Sequence, residues 1–253
     1  MTLNFADLHR KGDPLLLPNA WDVGSAVAIA SAGAKAIATT SAGVAWSLGV
    51  PDGADLGVDR AAAVIERIVR AVEVPVSADI EAGYGSLEAT VAAVVQAGAA
   101  GVNIEDRVAG VMLDPAEQAE RLAAARAAGG SVWINARTDV YLGGSADLDE
   151  VKRRAEAYAA AGADSLFVPG LIDLEAIAEL TSGPLPIAVM AWAGAPSVAE
   201  FTAAGVVRIS LGSAIAQAAY AVAARATTEL LEKGVYDVTG DGLPYDKLNT
   251  LLA

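Results

Sequence analysis

Hydrophobic and polar positions fall in two alternating textures along this chain. Short apolar runs stand at Pro14–Pro18, Ala36–Thr40, Val74–Asp79, Gly101–Glu105, Val132–Ala136, Ser165–Val168, Leu185–Val189 and Val206–Ser210. Their length and β-branched content predict strands. Between them lie longer segments with apolar residues at helical spacing: Gly24–Ala32, Asp59–Ala71, Ser86–Ala97, Pro115–Ala128, Asp147–Ala161, Leu174–Thr181, Ser197–Ala204 and Ser213–Lys233. Ser86 and Ser197 suit N-caps, with acids close behind, and Pro115 suits a first helical turn. Gly33, Gly98, Gly129, Gly162 and Gly205 stand where helices should stop.

Strand and helix thus alternate, which implies a parallel sheet. Eight such units in about 230 residues fit an α/β fold of the single (β/α)8 TIM-barrel type. A doubly wound sheet is the rival, but the first strand runs into "PNAWDVGSA", which holds no G-x-G-x-x-G fingerprint. No linker or composition shift divides the chain. The expected organisation is one barrel over 1–234 and a C-terminal appendage over 235–253.

Composition then narrows the chemistry. Of 253 residues, 54% are hydrophobic, enough for a sizeable core. Cysteine is absent and His9 is the one histidine, so thiol nucleophiles, Ser-His-Asp triads and multi-histidine metal sites are excluded. Thirty-one acids against 17 bases give a net charge of −14, which argues against nucleic acid or an anionic membrane as partner. The N-terminal "MTLNFADLHRKGD" lacks an apolar signal core, and no apolar run approaches the roughly 18 residues of a membrane span. The expected location is cytoplasmic.

In such a barrel the chemistry sits at the C-terminal ends of the strands. There the sequence delivers Asn19, Trp21 and Asp22 from strand one, and Thr39–Ser41, Gly43 and later Asp52 from strand two. Strand three brings Asp79 and Glu81, strand four Asn103, Glu105, Asp106 and Arg107, strand five Asn135, Arg137, Thr138 and Asp139. Strand six ends in Val168-Pro169-Gly170 and strand seven in Met190 and Trp192. Arg208, Ser210 and Leu211-Gly212-Ser213 come from strand eight. Taken singly, an acid at a strand end is more often a helix cap or a solvated residue. Together, Asp52, Asp79, Glu81 and Glu105 around one mouth cannot all stay unpaired in a partly buried site. A hard divalent cation, Mg2+ or Mn2+, resolves the conflict with oxygen ligands. Arg137 then offers a bidentate donor to a substrate carboxylate or phosphonate, or else a structural partner for Glu105. Asp79 and Glu81, two apart on one strand, both point to the mouth in this reading, and Gly83 and Gly85 let the next loop turn around the metal. Tyr84 is either packing or a proton donor. Asp106 and Asp139 read as supporting residues, Trp21 and Trp192 as wall. Lys11, Lys35, Lys152, Lys233 and Lys247 all miss the strand ends, which excludes a Schiff-base aldolase.

The stretches "LPNAWD" (17–22), "ATTSAGVAWSLGVPDG" (38–53), "SADIEAGYG" (77–85), "GVNIEDR" (101–107), "INARTDVY" (134–141), "RAEAYAAAGAD" (154–164) and "GVVRISLG" (205–212) resemble, in order and spacing, the isocitrate lyase/phosphoenolpyruvate mutase superfamily. The resemblance implies a TIM barrel that exchanges its last helix within a homo-oligomer, a dimer or tetramer. It implies Mg2+ chemistry on a small 2-oxo or 2-hydroxy carboxylate through an enolpyruvate-like intermediate. By the same resemblance Asp79 is the direct metal ligand, and Asp52, Glu81 and Glu105 hold its water shell. Arg137 takes the substrate carboxylate, and Thr40, Ser41, Ala42 and Gly43 grip substrate oxygens. Arg137, Glu105 and Tyr84 are the candidates for catalytic contact.

The departures are as informative. Isocitrate and methylisocitrate lyases carry a "K-[KR]-C-G-H" loop after strand four, with the cysteine as acid/base; this chain has "EDRVAGVMLDP". Phosphonopyruvate-cleaving and mutase members carry a polar lid with Lys and Asn, and histidine after strand six where Pro169 stands. The expected reaction is C–C cleavage of an oxaloacetate-like acid. The alternatives are P–C chemistry on a phosphonate, and a keto-acid-binding barrel with little turnover.

Overall fold

The computed structural model describes residues 4–253; Met1 to Leu3, part of the stretch read above for a signal core, lie outside them. The chain opens with β1 (Leu15–Leu17), β2 (Asn19–Ala20), α1 (Val23–Ser31), β3 (Ile37–Thr39), α2 (Ser41–Ser47), α3 (Val58–Ala71), β4 (Val76–Asp79), α4 (Leu87–Gln96) and β5 (Gly101–Glu105). A hairpin of β6 (Arg107–Val108) and β7 (Val111–Met112) precedes α5 (Pro115–Gly129), β8 (Trp133–Arg137), α6 (Leu148–Ala160), β9 (Ser165–Phe167) and α7 (Leu174–Leu180). Then come β10 (Ile187–Met190), α8 (Val198–Ala203), β11 (Arg208–Ser210), α9 (Ala214–Lys233) and α10 (Tyr245–Leu252).

All strand pairs of the main sheet are parallel, in the order β1-β11-β10-β9-β8-β5-β4-β3-β2. β1 and β2 are one barrel strand interrupted at Pro18, which lacks an N–H to give to a ladder. Its carbonyl still accepts from Ala38. One half of this strand pairs with β11 and the other with β3, so the sheet closes and the eight-stranded barrel expected from the sequence is present.

The local signals act as expected at most ends. The Ser86 side chain caps α4, and Ser197 caps α8 in a box with Glu200. Pro115 opens α5 behind the Asp114 cap. Gly33, Gly98, Gly162 and Gly205 have positive φ at helix ends. Gly129 does not end its helix: it is still helical, and Gly130 takes the cap. A Cβ on Gly129 would stand 2.7 Å from Val132 and 2.8 Å from Val91, so close packing explains this glycine. The pattern did not separate α2 from the strand before it, nor the β6–β7 hairpin from a loop. Both are too short to show a period.

The lower end of the barrel is plugged by the N-terminal segment. Phe5 packs with Leu15, Leu17, Ala36 and Ala38. Its ring lies where a side chain on Gly101 would be, 2.6 Å from the position of an added Cβ. His9 stacks on Trp133 at 4.2 Å and bonds the Phe5 carbonyl through Nδ1 at 3.0 Å. The histidine therefore belongs to the end of the barrel opposite the strand C-termini. Beyond the barrel, α9 has Ala216 as its one buried residue, and α10 packs against α1. Among the described residues no helix is long and apolar enough to cross a membrane.

Candidate active site

β3 and β4 bring the first two parts of the site together. The Asp79 backbone N–H donates to Thr39 Oγ1 at 2.9 Å, which ties the end of β4 to β3. Asp79 Oδ2 accepts from both the Ser41 N–H at 3.1 Å and the Ser41 hydroxyl at 2.9 Å. The α2 segment thus faces Asp79 with its first residue. Of the stretch Thr40, Ser41, Ala42 and Gly43, expected to grip substrate, Ser41 is turned onto the carboxylate. Thr40 caps α2, accepting from Gly43 N–H at 3.5 Å. A Cβ on Gly43 would lie 2.8 Å from both Trp21 and Thr40, so Trp21 packs closely against the start of α2.

Asp79 and Glu81 do not share a strand as supposed. β4 ends at Asp79, and Glu81 sits in the left-handed region at φ 51°. A non-glycine residue seldom adopts that conformation. It is held there as its carbonyl accepts from the Glu105 N–H at 3.0 Å. Glu81 therefore reaches the mouth through a turn. Gly83 also serves something other than a metal: an added Cβ would lie 2.6 Å from Leu87 Cα, at the start of α4. Gly85 has positive φ in the same turn.

Asp52, Asp79, Glu81 and Glu105 lie near enough to influence one another's ionisation. Burial raises Glu81 to about 7, helped by Asp79 and Asp52. Burial likewise raises Glu105 to about 8; Arg137 opposes this, while Asp79, Asp139 and Glu81 add to it. Asp52 is raised by burial and by Asp79. Tyr84 is buried, and is raised by burial and then by the Glu81 and Asp79 charges. Asp79 Oδ1 and Glu81 Oε1 are buried with no hydrogen-bond partner. Such orphaned carboxylate oxygens are costly without a cation. Among the described residues no three His, Cys, Asp or Glu side chains stand close enough to ligate one ion directly. The donor set therefore fits Mg2+ on one carboxylate with waters reaching the others, and not an ion caged by carboxylates.

Arg137, at the end of β8, is more tightly held than its sequence reading suggested. Nε and Nη2 form a bidentate pair with Asp139 at 2.6 and 2.9 Å, and Nη1 meets Glu105 at 3.0 Å. Burial works against its charge, but Asp139 and Glu105 outweigh burial and raise its pKa. Asp139 is itself fixed: its N–H donates to Asp106 Oδ1 at 3.0 Å. Asp106 is fully buried, and its Oδ2 accepts from Arg154 Nη1 and from the Tyr158 hydroxyl, each at 2.9 Å. The supporting role expected of Asp106 and Asp139 has this geometry. Arg154 and Tyr158, in the middle of α6, were not singled out from sequence because both read as ordinary helix residues.

Beside the acids lies a cavity of about 510 Å3 that includes Glu81, Tyr84, Ser86, Asp55, Val108 and Arg121. It flanks the acid cluster on the side of the β4–α4 turn. Arg121 spans to that turn, bonding Gln118 and the Ala82 carbonyl. The hairpin over this side is apolar at its tip: Val108 and Val111 are exposed, and Ala109-Gly110 turn with positive φ.

Arg208 corrects another expectation. It starts β11 instead of ending it, and its side chain is sealed inside the barrel at 1% exposure.

Over residues 5–231 the chain matches the family model for phosphoenolpyruvate phosphomutase. A Mycobacterium tuberculosis protein of uncharacterised activity is 41% identical over 83% of this chain and 82% of its own. Oxaloacetate decarboxylase 2 of Pseudomonas fluorescens is 30% identical over 87% of this chain and 77% of its own. Among solved structures, a candidate phosphonomutase from Burkholderia cenocepacia superposes with a TM-score of 0.83 and 43% identity, covering 92% of this chain and 97% of its own. Oxaloacetate acetylhydrolase in complex with its product oxalate superposes with a TM-score of 0.88 at 25% identity, covering 98% and 92%.

Proposed function

The chain belongs to the phosphoenolpyruvate mutase family, within the isocitrate lyase/phosphoenolpyruvate mutase superfamily, and on that premise we propose a Mg2+-dependent lyase that cleaves a C–C bond in a small oxaloacetate-like 2-oxo acid. Its relatives include lyases and mutases of this superfamily. The observation that carries the reading is the pair of unpartnered oxygens, Asp79 Oδ1 and Glu81 Oε1, inside an acid cluster that faces Arg137. Asp79 would hold Mg2+ directly, with Asp52, Glu81 and Glu105 reaching it through water. Bound there, the ion would polarise the 2-oxo group and offset the charge of an enolate.

The chain's own residues supply the remainder. Arg137 keeps its Asp139 pair and turns Nη1 from Glu105 to the substrate carboxylate. The clamp fixes the guanidinium before substrate arrives, so little orientational freedom is lost on binding. Cleavage of an oxaloacetate-like acid then breaks the bond to the terminal carboxylate. CO2 leaves, the electron pair passes into the enolate, and solvent returns a proton to carbon to give pyruvate. The hairpin tip, Val108 to Val111, is apolar and brings no acid. The lyase reaction on isocitrate or methylisocitrate needs such an acid, and this chain has no cysteine to provide it. Losing general acid catalysis costs roughly 10²–10⁴-fold.

The similarity to a candidate phosphonomutase supports one other reading, P–C chemistry on phosphonopyruvate. A single panel separates the two. Purified protein is assayed with and without Mg2+ on oxaloacetate, isocitrate, methylisocitrate and phosphonopyruvate, with the metal-only background subtracted. We expect pyruvate from oxaloacetate and only residual glyoxylate from isocitrate. Robust glyoxylate release would overturn the assignment, and phosphate release or rearrangement of phosphonopyruvate would transfer it to the second reading.

A further inference from the structure

The lumen of a TIM barrel is usually filled by branched apolar side chains, but here a guanidinium occupies it. Arg208 donates from Nη2 to Asn103 Oδ1 at 2.9 Å and from Nη1 to Ser77 Oγ at 3.5 Å. Asn103 Oδ1 also accepts from Asn135 Nδ2 at 2.7 Å, Asn135 Oδ1 accepts from the Ser165 hydroxyl at 2.5 Å, and Ser165 Oγ accepts from Trp133 Nε1 at 2.9 Å. This chain of side chains runs across β11, β5, β8 and β9 and clamps the guanidinium in place. Both of its partners are neutral. Burying a cation against neutral groups is unfavourable, so the packing gives no reason for the charge.

The strand geometry gives one. Ser77 precedes Asp79 by two residues on β4, so both side chains lie on the lumen side. Asn103 is in register with Asp79. The two groups that hold Arg208 are thus the neighbours of Asp79 along its strand and across to the next. Burial lowers the Arg208 pKa to about 9, with the Asp79 charge opposing, so the side chain stays cationic at neutral pH.

We infer that Arg208 is a positioning residue, a fixed positive charge beneath Asp79 that weakens the hold of the site on a divalent cation and strengthens its hold on an anionic substrate. This rests on the metal-site reading above. A charge acts on a cation and an anion with opposite sign, whereas a packing defect weakens both. Neutralisation therefore has a signature that structural damage lacks.

The test is calorimetric, using Mg2+ alone and then oxalate, a planar dianion, at saturating Mg2+. Four proteins are compared: wild type, Arg208→Met, Arg208→Lys and Asn103→Asp. The last places a carboxylate against Arg208 and neutralises it where it stands, which protects the test should Arg208→Met fold poorly. We expect Arg208→Met and Asn103→Asp each to bind Mg2+ at least about threefold tighter and oxalate at least about threefold weaker. Arg208→Lys should stay near wild type for both ligands. Loss of both affinities together in the variants, or no change in either, would overturn the inference, while the metal reading stands on Mg2+ uptake by the wild type. Absence of Mg2+ uptake by the wild type would end the metal reading and this inference with it.

Discussion

Arg137 carries five N–H donors, and three of its contacts are with acids: two to Asp139 and one to Glu105. The Asp139 pair fixes the plane of the guanidinium, and the Glu105 contact is the one a substrate can replace. Asp139→Ala should therefore raise KM for the 2-oxo acid by roughly tenfold, the scale of a lost charge-assisted hydrogen bond, with the fold kept; steady-state kinetics beside a thermal melt check this. An unchanged KM would mean that the pair does not position Arg137. At Asp79 the expectation concerns metal. Asp79→Ala should weaken Mg2+ binding more than Glu81→Ala, because it removes the proposed direct ligand and also releases Ser41, which donates twice to Asp79. Equal affinities of the two variants on titration would remove Asp79 from that role.

Short elements decide how these residues meet. α2 starts two residues after β3 ends, which turns Ser41 toward Asp79. The β6–β7 hairpin sets a valine-edged tip beside the acid cluster. At the other end of the barrel the N-terminal plug has its own titration. Burial first, and then the Arg208 charge, pull His9 down to about 4, below its ordinary value of 6.5. The folded protein thus favours the neutral ring. The stability that this ring contributes is complete above pH 6.5 and is lost as pH falls toward 4. Two and a half pH units correspond to at most about 3 kcal/mol. His9→Phe keeps a ring against Trp133 without the titration. Urea midpoints at pH 7.5 and 4.5 should fall less for this variant than for the wild type, and an equal fall would show that His9 is not the group responsible.

At the scale of the molecule one side of the barrel is uncovered. Leu15 and Leu17 face inward, so Leu16 between them faces out, and it is 49% exposed. On α9, Tyr220, Val222, Leu230 and Leu231 are all exposed as well, Leu231 at 78%. Bare apolar side chains on a long helix and on a barrel wall call for cover from another chain. We propose that a second copy provides it by exchange of α9. Light scattering should give a dimer or larger species at micromolar concentration, and the double change Leu230→Asp, Leu231→Asp should shift it toward monomer. A wild type that is monomeric throughout would contradict the exchange.

The sequence by itself determined the alternation of strands and helices, because hydrophobic period and capping residues are local. It therefore placed most elements to within one or two residues and, with closure of eight units, the fold. It also brought Asp79, Glu105 and Arg137 to one end, since position along a strand sets the barrel end at which a side chain emerges, whereas Asp52 and Glu81 reach it from loops. It could not determine how those groups divide their hydrogen bonds. Ser41 on Asp79, Asp139 on Arg137 and the left-handed turn at Glu81 arise from contacts between segments distant in sequence. Arg208 shows the limit most sharply: in sequence it is one charge in the middle of an expected strand, Val206–Ser210, and which end of the barrel it faces depends on where β11 begins. That start is set by pairing with β1 and β10, which only the closed barrel defines.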